Sequence, residues 1–423
     1  MVRPSRGISR RAFVRSAVAI GGVSALSACL ERGDGAELPQ ASVALEDLPE
    51  RQHAWNEYLE RDGHGNHVAP EHHVLLALEY VGEEPTDETD RDELEAAFET
   101  LERAFERGND GLVFTVGYGP AYFERFDDAL PGGVDLPPPE PMAAFEDPVL
   151  DEYDALVHLA SDHGSAVLSA EEALTGGLSE LNGLAVEGSL EGVFTVADRR
   201  TGFIGQGLPA ERQEEVPAIE REEPVPEDAP MFMGFESGFR RNQASEDRVT
   251  IREGPFADGT TTHLSRIRLD LRQWYLQDSR EQRVSKMFCP AHAAEGRVEG
   301  AGHNLGDDAG VDGCAETLEE DARSGVVGHS QKLVRAREDD DPLLLRRDVS
   351  STDDGEAGVH FLSHQREVGE FAAVREAMNG SGLSSAIGTR TNNGILQYLE
   401  VTRRANFLVP PRRHRSLPEP DPG

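Results

Sequence analysis

The sequence predicts an α+β fold of two ferredoxin-like halves, each an antiparallel sheet with helices packed on it. Three observations carry that expectation. A strand–helix–strand cadence opens the folded part and then repeats. A similar order of elements returns after residue 230. An acidic, proline-rich stretch, Glu214 to Pro230, separates the two runs. No clear sequence repeat accompanies the similar order.

The elements follow from local pattern. His72 to Val81 is a continuous apolar run between Pro70 and Gly82, which reads as a buried strand. Asp90 to Arg107 places Leu94, Phe98, Leu101 and Phe105 on one helical stripe. Leu112–Tyr118 and Tyr153–Ser161 read as strands, a helix starts near Ala170, and Gly192–Gly205 adds a strand. Leu130 to Pro148 reads as another acidic linker. After residue 230, Ser265–Leu271, Val359–Ser363 and Gly394–Val409 read as strands, with helices at Trp274–Met287 and Arg366–Met378. The domain reading is an export signal over 1–29, a polar tether over 30–49, an N-terminal half over 50–213 and the linker over 214–230. A C-terminal half over 231–411 and a tail over 412–423 complete it.

Of 423 residues, 38% are hydrophobic, enough for a core, yet 79 Asp and Glu face 41 Lys and Arg for a formal net charge of −38. Lys286 and Lys332 are the two lysines. A chain this acidic repels phosphate backbones, so nucleic-acid binding is excluded as a function class. The acids are spread along the chain and form no D-x-D-x-D-G cation loop. That composition resembles proteins of salt-loving archaea, whose hydrated carboxylates keep a surface soluble where salt screens charge within about 3 Å.

Arg10-Arg11 precede a short apolar stretch from Ala17 to Ala28, and Leu26-Ser27-Ala28-Cys29 follows. The pattern resembles a twin-arginine export signal with a lipobox, which implies a lipid anchor on Cys29 at the outer face of the cell membrane. The stretch is too short to span about 30 Å of hydrocarbon by itself.

The chemistry-bearing residues gather between Val326 and Arg347. Gly328-His329 is followed by Lys332, Arg335 and Arg337, then by Leu343-Leu344-Leu345-Arg346-Arg347. With Gly117-Tyr118-Gly119, the block Gly254 to Trp274 and the segment Phe361 to Phe371, this resembles the dye-decolourising (DyP-type) haem peroxidases over about residues 74–409. The resemblance implies haem b, with His329 as a strand-borne iron ligand and Glu367 as the acid behind it. It also implies Arg346 over the distal face, with Arg347 the next candidate. Lys332, Arg335 and Arg337 are suited to the haem propionates, since basic side chains pair with carboxylates. Hydrogen peroxide and a small reducing substrate are the implied partners.

One position departs from the family. Its G-x-x-D-G signature aligns with Gly234-Phe235-Glu236-Ser237-Gly238, so serine stands where an aspartate is expected to move a proton. A serine hydroxyl is no general base near neutral pH unless another group takes its proton. Glu236 is the nearest acid in sequence. Two alternatives therefore stand beside the peroxidase: a haem-binding or haem-handling lipoprotein with little turnover, and a non-haem ligand-binding lipoprotein on the same fold.

Cys289 and Cys314 fit a disulfide in an exported protein, with His292 and His303 they also offer a zinc set, and free thiols are the third reading. His64, His67, His72 and His73 are a second cluster, read as a loop followed by a strand start or as metal ligands. The oligomeric state has no signature in the sequence.

Overall fold

The computed structural model describes residues 38–82, 85–388 and 392–422. The export signal and Cys29 lie outside them. Among the described residues, no helix is long and apolar enough to cross a membrane.

The N-terminal half runs β1 (His72–Tyr80), α1 (Glu88–Ala104), β2 (Val113–Tyr118), β3 (Val149–Leu150), β4 (Ala155–Ser161), α2 (Gly164–Leu174) and β5 (Phe194–Phe203). The C-terminal half runs β6 (Thr260–Leu269), α3 (Leu271–Leu276), α4 (Arg280–Met287), α5 (His329–Leu333), β7 (Leu345–Arg346) and β8 (Val349–Ser351). It ends with β9 (Gly358–Gln365), α6 (Val368–Asn379) and β10 (Leu399–Val409). The strands are ordered β5-β1-β4-β2 in the first half and β10-β6-β9-β8 in the second, with every one of these neighbours antiparallel.

The expectation of two separate sheets is corrected. Ser350 pairs with Phe203 and Leu408 with Tyr118, so the halves join edge to edge in one ten-stranded sheet that closes on itself as a barrel. Closure removes the exposed edges that two open sheets would leave.

Strand periodicity explains why β1 reads as an unbroken apolar run. Leu75 points into the barrel with Leu156, Leu264, Leu362 and Phe407. Val74, Leu76 and Leu78 point outward, under α1 and α2. Both faces are buried, and each such side chain contributes about 1.5–3 kcal/mol by leaving water. α1 begins where the Asp87 carboxylate accepts from the Thr89 and Asp90 N–H groups, and it buries Leu94, Phe98 and Leu101 against the sheet.

Three expected boundaries moved for local reasons. The helix expected over Trp274–Met287 is split into α3 and α4, because Ser279 and Gln282 form a capping box that starts a new helix. β6 begins at Thr260 rather than Ser265, its threonines buried and hydrogen-bonded to Val249 and Gln365. Residues 412–422, expected as a tail, are packed: Leu417 is fully buried, and Arg415 sits between Glu95 and Glu102. The acidic segments are not free linkers either. Val216, Ile219 and Val225 join the second core, and Glu146 is buried at the site described next.

Candidate functional site

A cavity of about 260 Å³ opens in the C-terminal half, whereas two other cavities measure about 10 and 20 Å³. Ile267, Phe361 and Val401 supply its sheet side, and Met287, Leu333 and Met378 its helical side. The site thus lies between the sheet of the C-terminal half and that half's own helices. Glu146 is the single lining residue from before residue 231.

His329 lines this cavity from the first position of α5, on a short helix rather than on a strand. The sequence folds this way because α5 is pressed against the preceding turn. A Cβ on Gly328 would come within 1.7 Å of the Phe288 carbonyl oxygen, so only glycine fits. The Gln331 N–H donates to that same carbonyl (3.2 Å), and Gln331 Oε1 accepts from the Gly328 N–H (3.0 Å). Burial, then the charges of Lys332, Arg346 and Arg375, push the His329 imidazole down to about 3. The ring is neutral at physiological pH. Its Nδ1 is buried and has no hydrogen-bond partner among the described residues.

Arg346 and Asp348 face the cavity, and Arg347 between them does not, as expected where successive side chains of an extended chain alternate. The Arg346 backbone is pinned by Gln243, whose amide accepts from its N–H (3.0 Å) and donates to its carbonyl (3.3 Å). Among the described residues no carboxylate pairs with the Arg346 guanidinium. Arg347 turns to Asn56 (2.9 Å), Glu246 (3.5 Å) and the Trp55 ring, where burial lowers its pKa to about 10.

Ser237 reaches the same cavity from a turn framed by Gly234 and Gly238, both at φ above +80°, where a side chain is strained. Its Oγ donates to Asp348 Oδ2 at 3.4 Å. Glu236 also lines the cavity, but its carboxylate is held by His303 Nδ1 at 2.7 Å, and burial raises its pKa.

The other residues singled out in the sequence are distributed as follows. Lys332 is buried and donates to the Met378 carbonyl and to Asn393, and burial lowers its pKa to about 7. Arg335 is exposed, and neither it nor Lys332 lines the cavity. Glu367 is an exposed N-cap residue of α6 and gives His329 no hydrogen bond. Arg337 does line the cavity. The histidine cluster disperses: His73 Nδ1 meets His158 Nε2 at 2.8 Å inside the barrel, and His72 lies 3.9 Å from Glu71. Cys289 and Cys314 are joined by a disulfide, with His292 beside them and His303 elsewhere.

Two site residues were missed by the sequence reading. Asp348 carries a usable signal, two positions beyond Arg346 on an extended stretch. Glu146 carries none, because it sits in a proline-rich segment that reads as solvent-exposed. Burial alone would raise the Glu146 carboxyl, but Arg375 and Arg404 (2.8 Å) overcome this and hold it below its ordinary value.

The arrangement is a largely apolar cavity holding the neutral His329 imidazole, the Arg346 guanidinium and the Asp348 carboxyl group beside the Ser237 hydroxyl. A metal-centred macrocycle fits these groups: His329 would supply a nitrogen ligand without losing a proton, since its Nδ1 has no competing partner among the described residues.

Solved structures share this architecture. The dye-decolorizing protein from V. cholerae matches at 14% identity with TM-score 0.53, covering 85% of this chain and 98% of that one. The encapsulated DyP-type peroxidase from Mycobacterium smegmatis matches at 15% identity and TM-score 0.53, covering 92% and 100%. A DypB variant from Rhodococcus jostii RHA1 in complex with haem matches at 14% and 0.54, covering 82% and 96%. The fold is therefore that of the DyP-type peroxidases. The chain belongs to the family of unknown function DUF7405, whose pattern matches residues 70–411. No curated protein matches it.

Proposed function

We propose that this protein is an exported, lipid-anchored haem peroxidase that oxidises small organic substrates with hydrogen peroxide. The observation that carries this reading is the cavity of about 260 Å³ that His329, Arg346, Ser237 and Asp348 all line. Haem b supplies the redox chemistry when bound. His329 would hold its iron, and Arg337, which lines the cavity where Lys332 and Arg335 do not, would pair with its propionates.

The residue that replaces the family's aspartate is Asp348 rather than Ser237. Its Oδ2 accepts a proton from a peroxide oxygen, and the Ser237 hydroxyl donates to the same oxygen to hold the carboxylate in place. Arg346, without a carboxylate partner among the described residues, stabilises negative charge as it develops on the departing oxygen. The apolar walls exclude water and so strengthen both effects. The matching strand order of the two halves supports reading the fold as a duplicated ferredoxin-like unit. The acidic surface supports work at high salt, and the Arg10-Arg11 and Cys29 signals support an outward-facing membrane anchor.

Haem-loaded protein is expected to oxidise a dye when peroxide is added, and the activity to vanish in His329→Ala. Haem uptake with no peroxide turnover would favour the haem-handling alternative.

A further inference from the structure

Behind the cavity wall, and unused by the proposed chemistry, three ligand-type side chains meet. Cys289, His292 and Cys314 are all buried, and their ligand atoms lie within 4.8 Å of one another. The sulfurs are joined as a disulfide. His292 Nδ1 lies 3.1 Å from Cys289 Sγ and 3.5 Å from Cys314 Sγ.

The far side of the ring decides its tautomer. His292 Nε2 is 3.1 Å from the Ala309 carbonyl oxygen, which only accepts, so Nε2 carries the hydrogen. With the hydrogen on Nε2, the Nδ1 of the neutral ring is a bare lone pair. Disulfide sulfurs have no proton to offer it. A side chain 1% exposed therefore aims an unsatisfied lone pair at two sulfur atoms.

We propose that the reduced Cys289–Cys314 pair and His292 hold one thiophilic cation of the zinc class. A tetrahedral zinc with bonds of about 2.3 Å to sulfur and 2.0–2.1 Å to nitrogen sets its ligand atoms about 3.5–3.8 Å apart. The two nitrogen–sulfur distances are already close to that, so only the sulfurs must separate. The Ala309 carbonyl fixes the ring as an outer partner does in zinc sites. A dithiol reductant supplies two electrons and two protons and leaves as its own disulfide; cation binding then releases both protons from the thiols. Three protein ligands leave a fourth position for water.

The site is tied to the cavity through Gln331, whose side-chain N–H donates to the Cys314 carbonyl (2.7 Å). The inference does not depend on haem, and its test does not read peroxidase activity. Zn²⁺ is titrated calorimetrically into the full chain in a dithiol-reduced and an oxidised form, with excess Mg²⁺ at high salt to saturate surface carboxylates. Cd²⁺ is then added to look for a thiolate-to-metal charge-transfer band. The reduced protein is expected to take up one more equivalent than the oxidised protein and to show the band. His292→Ala, which leaves the disulfide intact for folding, is expected to weaken binding by more than the roughly 10- to 100-fold that loss of an outer partner costs. Equal uptake by both forms, absence of the band, or wild-type affinity in His292→Ala would each overturn the proposal.

Discussion

The two halves of this molecule share a strand order but treat the outer face of the sheet differently. In the N-terminal half, α1 and α2 lay Leu94, Phe98, Leu101 and Val167 on Val74, Leu76 and Val157, and the core is filled. In the C-terminal half, short helices and the segment around Glu146 cover Ile267, Phe361 and Val401, and a cavity of about 260 Å³ remains. One face is spent on stability and the other is held open for a ligand. A difference of this kind comes from helix length and from which side chains face inward, not from topology. Fold likeness alone does not reach the chemistry.

If the open face does chemistry, its polar groups should govern rate rather than stability. Asp348→Asn is expected to lower peroxide turnover by about 10²–10⁴-fold with little change in melting temperature, the range for removing a proton-transfer group. Wild-type turnover in that variant would return the role to Glu236. Arg346→Leu should cost about 10²–10³-fold in turnover. An unaffected rate would remove Arg346 from the distal assignment, although Arg347, turned toward Trp55, is poorly placed to succeed it.

The filled face makes the opposite prediction. Phe98→Ala is expected to cost about 3–5 kcal/mol in denaturant unfolding, because it opens a void in a closed core. Phe361→Ala, on the wall of an existing cavity, should cost only about 1–2 kcal/mol. Similar losses at both positions would show that the two faces are packed alike.

The smallest expected effect concerns the buried C-terminal segment. Burial would raise the Glu102 carboxyl, but Arg412 and Arg415 hold it below its ordinary value near 4.5. Its contribution to stability is therefore complete above about pH 4.5 and is lost as pH falls through the lower folded value. Acid unfolding of Glu102→Gln should lose that part of the pH dependence, and an unchanged acid profile would contradict the pairing.

Much of this was legible in the sequence where a local signal matched the tertiary environment. The apolar run of β1 and the stripe of α1 are read directly because burial there follows periods of two and of 3.6. His329 and Arg346 were legible through family resemblance, and both line the cavity. What escaped was set by contacts distant in sequence. Thr260–Thr262 look polar but bond inside the closed sheet, and Glu146 looks like linker but is clamped by Arg375 and Arg404. Glu367 and Lys332 have the right charge in the right stretch, yet one stands exposed at the start of α6 and the other braces Met378 and Asn393. The barrel closure itself rests on single residue pairs that no local pattern announces.

The central claim is that the neutral His329 imidazole is available to an iron porphyrin. Absorption spectra of haem-titrated wild-type protein and His329→Ala test it most directly. The account predicts saturation at one haem per chain with a sharp Soret band in the wild type and loss of that band in the variant. Identical spectra from the two proteins, or no haem taken up by either at high salt, would contradict it.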